Sequence, residues 1–426
     1  MDHVVILGNG IAGITAARHI RKLSDVRITV ISSETEHFYS RTALMYIYMG
    51  HMKYEHTKPY EDWFWKKNRI ELVNKHVQSI DTKNKTLIYE KGGSISFDTL
   101  ILATGSKPNK FGWPGQDLKG VSGLYSFQDL KTIENETKGI KRGVIVGGGL
   151  IGVELAEMLH SRGIEVTFLV REPGFWNIVL PQQESELVSK HILKHGIDLR
   201  LNTELKEIVS DEKGRVKSVI TNSGEEILCQ FVGLTAGVHP NIESVKDSEI
   251  EVDRGILVNE YFETNIPGIY AIGDCAQHKN PPGQRKAIEQ VWYTGRMQGE
   301  TVAQTICGNR LAYKPGIWFN SAKFFDIEYQ TYGWVWNELK ENETDFYWEN
   351  KSGDKCLKLV YNKTNKSLLG INVLGIRIRH EIAEKWINEK TKVEDVIDQL
   401  HIARFDPEFS EHYEKEISIK FSEAQV

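Results

Sequence analysis

Apolar runs alternate with segments of helical character over most of this chain. Residues 4–7 are Val-Val-Ile-Leu, an apolar run, and residues 26–31, Val-Arg-Ile-Thr-Val-Ile, have the composition of a further strand. A turn rich in glycine follows the first run, and residues 14–20 then have the composition of a helix. Short apolar runs bounded by turns are typical of strands buried in a parallel sheet. The order of strand, tight turn, helix and strand therefore predicts a βαβ unit.

The turn at residues 8–13 has the pattern of a dinucleotide-binding loop. Gly8 permits the tight turn, Gly10 lets a pyrophosphate approach the backbone, and Gly13 lets the helix pack on the strand. The pyrophosphate then lies on free N–H groups at the positive end of the helix. Glu34 stands 21 residues after Gly13, where a carboxylate bonds a ribose hydroxyl. We expect a dinucleotide site here, with a glycine turn in an ordinary βα unit as the alternative.

The same pattern occurs a second time. An apolar run at residues 143–146 leads into the glycines Gly147, Gly149 and Gly152, and a helical segment and a further apolar run follow. A single-dinucleotide enzyme needs only one such site. Two predicted sites indicate that electrons pass from one cofactor to another.

Two more apolar strands end in small-residue turns. One ends at residues 103–105, Ala-Thr-Gly, and the other at Gly273-Asp274. A carboxylate at such a turn suits a polyol hydroxyl, although Asp is also a favoured helix N-cap. We expect the helix after this turn to run from about residue 284 to residue 306.

The chain changes character after residue 311. Aromatic residues cluster from 313 to 336, short strands are predicted between 345 and 373, and a helix is predicted from 379 to 400. The predicted fold class is α/β, with two Rossmann-like dinucleotide-binding domains, the second inserted in the first, and a C-terminal α+β domain. The predicted boundaries are 1–110 with 241–312 for the first domain, 111–240 for the second and 313–426 for the third.

Composition restricts the classes of protein that this chain fits. The 426 residues carry a net charge of −5, which favours neither nucleic acid nor an anionic membrane surface as a partner. The sequence shows no stretch near the roughly 20 apolar residues of a membrane span, and the first loop leaves no room for a signal peptide before it. Four scattered cysteines do not form a disulfide framework. We therefore expect a cytoplasmic protein. We also expect no metal, because His239 and His278 have no partners at metal-binding spacing.

These motifs, in this order, resemble the two-dinucleotide flavoproteins of the pyridine nucleotide-disulfide reductase superfamily, from residue 3 to about residue 312. The resemblance implies that the first domain binds FAD and the inserted domain binds NADH or NADPH. The residues that it assigns to FAD are Gly8, Gly10, Ile11, Ala12, Gly13, Glu34, Arg41, Val77, Ala103, Thr104, Gly105, Gly273, Asp274, Val291 and Trp292. Those assigned to the nicotinamide dinucleotide are Gly147, Gly149, Leu150, Ile151, Gly152, Arg171 and Glu172, and Gly237 is a further cofactor-binding candidate.

The branch of the superfamily follows from residues 38–46. Disulfide reductases carry a cysteine pair in this region, and a related branch carries one cysteine, but this stretch has none. Since a thiolate is the nucleophile of both chemistries, dithiol chemistry at this position is excluded. Tyr39-x-Arg41 resembles instead the flavin loop of ferredoxin and rubredoxin reductases, apoptosis-inducing factor and the flavin portion of nitrite reductases. Arg41 and Glu154 are the implied catalytic residues, and Tyr46 stands where many relatives have a lysine that pairs with that glutamate.

The resemblance implies an FAD-dependent NAD(P)H oxidoreductase that passes hydride from nicotinamide to flavin and then electrons to an external acceptor. A ferredoxin- or rubredoxin-type protein is the first choice of acceptor. Two alternatives stay open: an oxidase or diaphorase that uses oxygen, quinone or metal complexes, and a redox-responsive NADH-binding interaction protein, for which a homodimer is relevant. The coenzyme is also open, because Arg171 favours NADPH and Glu172 favours NADH.

Overall fold

The computed structural model describes residues 2–406, 408 and 411–424, and the chain divides into two compact units. The first unit is made of Met1–Asn109, Gly123–Asn135 and Gly237–Pro315. The second unit is made of Lys110–Ser122, Glu136–Ala236 and Gly316–Val426. Each unit therefore combines segments that are far apart in the sequence.

A parallel sheet forms the centre of the first unit. Its inner strands carry mainly buried apolar side chains, as expected where a sheet is covered on both faces, whereas only Ile70 is buried in the edge strand Ile70–Asn74. In spatial order they are Ile269–Ala271, Thr99–Leu102, His3–Leu7, Arg27–Ser32 and Ile70–Asn74. The central strand His3–Leu7 has a neighbour on either side, so its carboxyl end, where the first glycine loop begins, lies in the middle of the sheet.

Smaller elements complete the first unit. An antiparallel sheet consists of Val77–Asp81, Thr86–Tyr89 and Ser94–Ser96. Ser106–Pro108 pairs with Val238–Pro240, and Ile256–Val258 pairs with Ala276–His278. The helices are Ile11–Leu23, Leu44–Tyr48, Asp62–Lys67, Phe127–Glu136 and Trp292–Ile306, with 3₁₀ turns at Arg41–Ala43, Tyr54–Thr57 and Gly273–Cys275.

The second unit repeats the parallel sheet and adds an antiparallel one. The parallel sheet has the order Asp198–Arg200, Glu165–Leu169, Arg142–Val146, Phe231–Leu234 and Val121–Ser122. A three-stranded antiparallel sheet is formed by Leu205–Ser210, Val216–Thr221 and Glu226–Leu228. A five-stranded antiparallel sheet has the order Phe319–Phe324, Ile327–Gly333, Leu368–Leu374, Cys356–Asn362 and Glu343–Glu349.

The helices of the second unit are Leu150–Ser161, Gln182–Lys194, His380–Asn388, Val393–Asp398 and Glu414–Ala424, with a 3₁₀ turn at Leu400–Ala403. Those after residue 379 pack on the five-stranded antiparallel sheet through one apolar cluster. This is the predicted α+β arrangement of the C-terminal segment. None of the helices in the described part of the chain is both long and apolar enough to cross a membrane.

Two predicted helices are wrong in their extent. The helix predicted from residue 284 begins only at Trp292, because Val291 has an extended backbone with φ −133° and serves as its N-cap. The helix predicted from 379 to 400 is broken after Asn388. Lys390 has φ 53°, and Lys392 bridges to Ser367, which turns the chain away from the helix axis.

Candidate dinucleotide sites

The first glycine loop leaves no room for side chains at its two ends. Gly8 has φ +118°, and a Cβ atom added there would lie 2.0 Å from the carbonyl oxygen of Ala103. A Cβ atom on Gly13 would lie 2.1 Å from the carbonyl oxygen of Gly8. Both glycines are therefore required by the close approach of strand, loop and helix, as the sequence pattern predicts.

Gly10 has the opposite environment. No described atom lies within 4 Å of a Cβ atom added at this position. Gly10 is also the N-cap of the helix Ile11–Leu23, and within the described part of the chain it provides no side-chain cap to the first N–H groups. Open space in front of uncapped helix N–H groups fits a phosphate group, so the loop fits the pyrophosphate of a dinucleotide.

The second glycine loop has the same three features. Gly147 has φ +116°, and its Cβ atom would lie 2.7 Å from the carbonyl oxygen of Thr235. The Cβ atom of Gly152 would lie 2.5 Å from the carbonyl oxygen of Gly147, whereas no described atom lies within 4 Å of a Cβ atom on Gly149. Gly149 caps the helix Leu150–Ser161, whose first residues are the predicted contacts Leu150 and Ile151.

The structure brings Glu34 and Arg41 together at the end of the second strand of the first unit. The Arg41 guanidinium donates hydrogen bonds to Oε1 and Oε2 of Glu34 over 3.1 and 2.7 Å. Oε1 also accepts hydrogen bonds from the Tyr39 hydroxyl and from the backbone N–H of Phe127. Because four donors already surround this carboxylate, a ribose hydroxyl has to compete with them for Glu34. The ribose contact of Glu34 stays a prediction.

The charges of this cluster stabilise one another. Burial would raise the pKa of Glu34, but the Arg41 guanidinium and the hydrogen bonds from Arg41 and Tyr39 outweigh burial and lower that pKa. Burial acts to lower the pKa of Arg41, and the Glu34 carboxylate reverses this and raises it. Arg41 and Glu34 are therefore both charged at neutral pH, and Arg41 serves to hold Glu34 in place.

Tyr125 is a residue of this site that the sequence pattern did not indicate. Its hydroxyl accepts a hydrogen bond from the backbone N–H of Ser106 over 2.8 Å, and its ring lies under the Arg41 guanidinium at 4.4 Å. Gly105 has φ +70°, and a Cβ atom there would lie 2.9 Å from the Tyr125 hydroxyl. The Ala103-Thr104-Gly105 turn is fixed on its other side by the Thr104 hydroxyl, which donates to the carbonyl oxygen of Asn241 over 2.6 Å.

Asp274 lies in the 3₁₀ turn Gly273–Cys275 and does not cap the helix that begins at Trp292. Its Oδ2 accepts a hydrogen bond from the Ser106 hydroxyl over 3.0 Å, and Gln290 donates to that hydroxyl over 2.7 Å. Burial raises the pKa of Asp274, while Ser106 and Arg41 act to lower it. A half-buried carboxylate held by a hydroxyl network fits a polyol ligand, which is the first of the two alternatives for this residue.

The remaining candidates of the first unit are placed as follows. Val77 is the buried first residue of its strand. Gly237 has φ +81°. Its carbonyl oxygen accepts a hydrogen bond from the N–H of Asn109, which follows the 103–105 turn by four residues. Val291 and Trp292 stand at the beginning of the helix Trp292–Ile306. This helix lies close against Ile11–Leu23, because a Cβ atom on Gly299 would be 2.5 Å from the Ala12 carbonyl oxygen.

Glu154 lies in a cluster of charged side chains that the sequence did not reveal. It lies on the helix Leu150–Ser161 near Glu157, which forms an ion pair with Lys323 over 2.8 Å. Burial and the Glu157 charge raise the pKa of Glu154 to about 7, and the Lys323 charge acts to lower it. Tyr46, at the position where the resemblance implies a lysine, stacks on His51 with a centroid distance of 6.1 Å. The second unit therefore supplies a lysine of its own, Lys323, beside the Glu154–Glu157 pair.

Arg171 and Glu172 form an ion pair with each other over 2.7 Å. The Arg171 side chain is 72% exposed and the Glu172 side chain 21% exposed. The two charges therefore neutralise each other, and the Arg171 side chain of this pair is largely exposed, unlike Arg41.

The four cysteines are free, and three of them are buried. Burial raises the pKa of Cys229 to about 12 and also raises the pKa of the Cys275, Cys307 and Cys356 thiols. These thiols are therefore protonated at neutral pH, and protonated thiols are poor nucleophiles.

The chain is similar to several curated reductases. It is 31% identical to the NAD(P)H nitrite reductase of Bacillus subtilis over 82% of this chain and 43% of that protein. It is 33% identical to an NADH oxidase of Methanocaldococcus jannaschii, over 76% of this chain and 74% of the relative. It is 28% identical to the NADH-rubredoxin oxidoreductase of Clostridium acetobutylicum, over 93% of this chain and 99% of the relative. The chain thus spans less than half the length of the nitrite reductase that it matches.

The fold is found in solved structures. The crystal structure of NADH:rubredoxin oxidoreductase from Clostridium acetobutylicum superposes with a TM-score of 0.73 at 26% identity, over 93% of this chain and 99% of that one. The predicted fold class, with two Rossmann-like domains and a C-terminal α+β domain, is confirmed. The family model described as pyridine nucleotide-disulphide oxidoreductase matches residues 2–299. This chain belongs to the pyridine nucleotide-disulphide oxidoreductase family.

Proposed function

We propose that this protein is an FAD-dependent NAD(P)H oxidoreductase that passes electrons to a small redox protein of the ferredoxin or rubredoxin type. The observation that carries the proposal is the pair of glycine loops. Each has a central glycine, Gly10 or Gly149, that faces open space at an uncapped helix N-terminus. Two such loops in one chain provide for two dinucleotides.

The first loop is the FAD site of this proposal. FAD with NADH or NADPH are the cofactors of this family and of its reductases. We assign FAD to the predicted domain of residues 1–110 and 241–312, with Gly10 at the pyrophosphate and Asp274 at the ribityl chain. The chemistry that bound FAD supplies is hydride acceptance from a reduced nicotinamide and release of electrons to the acceptor. The chain's own contribution is a rigid support, because the Tyr125 hydroxyl holds the backbone at Ser106, directly after the 103–105 turn, and the paired Arg41 packs on the Tyr125 ring.

The second loop, in the predicted domain 111–240, is the nicotinamide site of the proposal. Gly149 and the first N–H groups of the helix Leu150–Ser161 would hold the pyrophosphate. Glu154 is assigned to the nicotinamide end of the coenzyme. With a pKa of about 7, its carboxyl is present in both protonation states at neutral pH, so its charge responds to a ligand placed beside it.

NADH is the coenzyme that we favour. A 2′-phosphate requires an arginine that is free to bind it, whereas Arg171 is already paired with Glu172. A carboxylate beside the arginine also repels the phosphate anion. The names of the Methanocaldococcus and Clostridium relatives specify NADH, and that of the nitrite reductase specifies NAD(P)H.

The acceptor is proposed from the relatives and from the state of the thiols. The Clostridium relative, which the chain covers almost completely, is named for rubredoxin. Protonated, mostly buried cysteines do not support reduction of a disulfide substrate. A second candidate function, NADH oxidase, is favoured by the Methanocaldococcus relative. We also propose that the protein lies in the cytoplasm and forms a homodimer. Cell fractionation tests its location, and light scattering of the purified protein tests its oligomeric state.

The decisive experiment follows the flavin spectrum of the purified protein under anaerobic conditions. We expect one noncovalent FAD per chain, released by acid, and bleaching of its absorbance by NADH within the time of a stopped-flow mixing experiment. Reoxidation is then measured with rubredoxin, ferredoxin, oxygen and a quinone at equal concentrations. Fastest reoxidation by rubredoxin or ferredoxin supports the proposal, and fastest reoxidation by oxygen supports the oxidase. A colourless protein, or one that NADH and NADPH both fail to reduce, contradicts both.

A further inference from the structure

Two histidines and one aspartate of the second unit meet at a single point. His191 lies in the last turn of the helix Gln182–Lys194, and His195 follows four residues later on the same face. Asp326 lies in the two-residue turn between the strands Phe319–Phe324 and Ile327–Gly333. Its Oδ1 is 2.6 Å from Nε2 of His191 and 2.9 Å from Nε2 of His195, and the two ring nitrogens are 3.2 Å apart.

The rings are held in this position by packing. The His191 side chain is only 8% exposed, and the Phe325 ring stacks on His195 with a centroid distance of 4.4 Å and an interplanar angle of 13°. Phe325 has φ 56°, which is a rare backbone conformation for a bulky residue. The turn thus places the Phe325 ring on His195 and the Asp326 carboxylate beside both imidazoles.

Hydrogen bonding alone explains this arrangement poorly. One carboxylate oxygen can accept hydrogen bonds from both Nε2–H groups, but the two donor nitrogens then lie only 3.2 Å from each other, with both hydrogens crowded between them. If one Nε2 atom lacks a hydrogen, its lone pair faces the carboxylate oxygen, which repels it. A cation between the three atoms removes both conflicts, because each atom then presents a lone pair to it.

We propose that His191, His195 and Asp326 bind one divalent first-row transition-metal ion, with Zn²⁺ as the expected occupant. Two imidazole nitrogens and one carboxylate oxygen are ligands that suit Zn²⁺, Co²⁺ or Ni²⁺ and disfavour Mg²⁺ and Ca²⁺. Tetrahedral bonds of about 2.0–2.2 Å require ligand atoms roughly 3.3 Å apart. The two ring nitrogens are already at 3.2 Å, whereas the carboxylate oxygen, at 2.6 and 2.9 Å from them, has to move outward by about half an ångström. The Asp326 side chain, which is 73% exposed, has room to adjust.

The site joins the end of a helix to the tip of a hairpin, so we assign it a stabilising role in the second unit. Water completes the coordination on the exposed side of Asp326. This proposal replaces the expectation of no metal, which rested on His239 and His278. Those two histidines are placed elsewhere, with His239 bonded to Asn109 and His278 stacked on Tyr313.

The test uses the FAD-loaded protein after treatment with a chelator and removal of the chelator. Isothermal titration with ZnCl₂ should show one ion per chain, and titration with MgCl₂ at the same concentration should show none. His195→Gln and Asp326→Asn should each weaken Zn²⁺ binding at least tenfold. His160→Gln is the matched control, because this ring also lies beside His195 but is outside the three-residue cluster.

Thermal unfolding provides the second measurement. Saturating Zn²⁺ should raise the melting temperature of the parent and of His160→Gln, because a ligand that binds the folded state stabilises it, and should leave the two ligand variants unchanged. Circular dichroism and a single cooperative unfolding transition show that each variant is folded, and Asp326→Asn serves if His195→Gln fails to fold. Equal Zn²⁺ affinity in the parent and in Asp326→Asn, or no binding by the parent at 100 µM ZnCl₂, overturns the proposal.

Discussion

The two glycine loops of this chain have the same backbone requirements but different surroundings. In both, the outer glycines are enclosed by carbonyl oxygens and the central glycine faces open space. The acidic residues that follow them differ. Glu34 accepts hydrogen bonds from Arg41, Tyr39 and a backbone N–H, whereas Glu172 pairs with an arginine that is largely exposed. The loop geometry is thus common to both units, and the side chains around it are what differ between the proposed FAD site and the proposed coenzyme site.

The helices that begin at the two loops also differ, at the second residue after the third glycine. The first helix has Thr15 there, which is buried against the helix Trp292–Ile306, and the second has Glu154. A buried threonine contributes packing, whereas a carboxyl with a pKa of about 7 contributes a charge that changes at neutral pH. The second site is therefore the one whose behaviour should depend on pH.

Substitution of the central glycines is expected to have the largest effect. Gly10→Val places a branched side chain in the open space in front of the first helix, so we expect loss of FAD from the purified protein. Gly149→Val does the same at the second helix, and this variant should keep its FAD but fail to be reduced by NADH. The two variants are controls for each other, and flavin content with stopped-flow reduction measures both. If Gly149→Val lost its FAD and Gly10→Val kept its FAD but was not reduced by NADH, the two sites would be exchanged.

The second largest effect is expected from replacing the arginine that pairs with each of the two acidic residues. Arg41→Ala leaves Glu34 half-buried without its counter-ion, and we expect a loss of about 2 kcal/mol in the free energy of unfolding. Arg171→Ala removes an exposed partner and should cost less than about 0.5 kcal/mol. Urea unfolding at pH 7 measures both.

The pH dependence of this difference has a defined sign. The folded-state pKa of Glu34 is lowered, so the stabilisation is present above the ordinary pKa of 4.5 and is lost as the pH falls below it. The stability difference between the parent and Arg41→Ala should therefore shrink in acid. A constant difference down to pH 3.5 would argue against the ion pair as its source.

The coenzyme contacts of the second unit are expected to give a smaller effect. If NADH is the coenzyme, Glu172→Ala removes the charged acceptor of a hydrogen bond that a ribose hydroxyl donates, and the apparent Kd for NADH should rise about tenfold, which corresponds to roughly 1.4 kcal/mol. NADPH binding should improve slightly. Arg171→Ala is the matched variant and should leave NADH almost unchanged. A tenfold loss of NADPH affinity in Arg171→Ala would instead identify NADPH as the coenzyme.

The smallest expected effect is a shift of a pH profile. The rate constant for flavin reduction by NADH should show an inflection near pH 7 that is absent in Glu154→Gln. Lys323 acts to lower the pKa of Glu154, so Lys323→Met should move the inflection to higher pH. The exposed Lys190→Met is the control and should leave the profile in place. An inflection that persists in Glu154→Gln would belong to another group.

Stability gives an independent check of Glu154. Its folded-state pKa is raised, so its contribution to stability is fully present below pH 4.5 and is lost as the pH rises through about 7. Compared with the parent, Glu154→Gln should therefore gain stability between pH 5 and pH 8, as measured by urea unfolding.

The sequence by itself determined the parts of this protein that depend on consecutive residues. Both glycine loops, their strands and helices, the family and the fold class follow from backbone requirements that are local. Gly8 and Gly13 are needed because atoms a few residues away, or in the adjoining strand, lie within 2.1 Å of the place where a Cβ atom would be. Such requirements leave a recognisable pattern in the chain.

Only the tertiary structure decided which distant side chains meet. Tyr125 reaches Ser106, Lys323 lies beside Glu157, and Asp326 joins two histidines more than 130 residues before it, because strands and helices far apart in the chain pack together. The same packing moved the beginning of a predicted helix to Trp292, where the extended backbone of Val291 precedes it. Local propensity contains no information on partners at such sequence separations, whereas burial and charge fix them once the chain is folded.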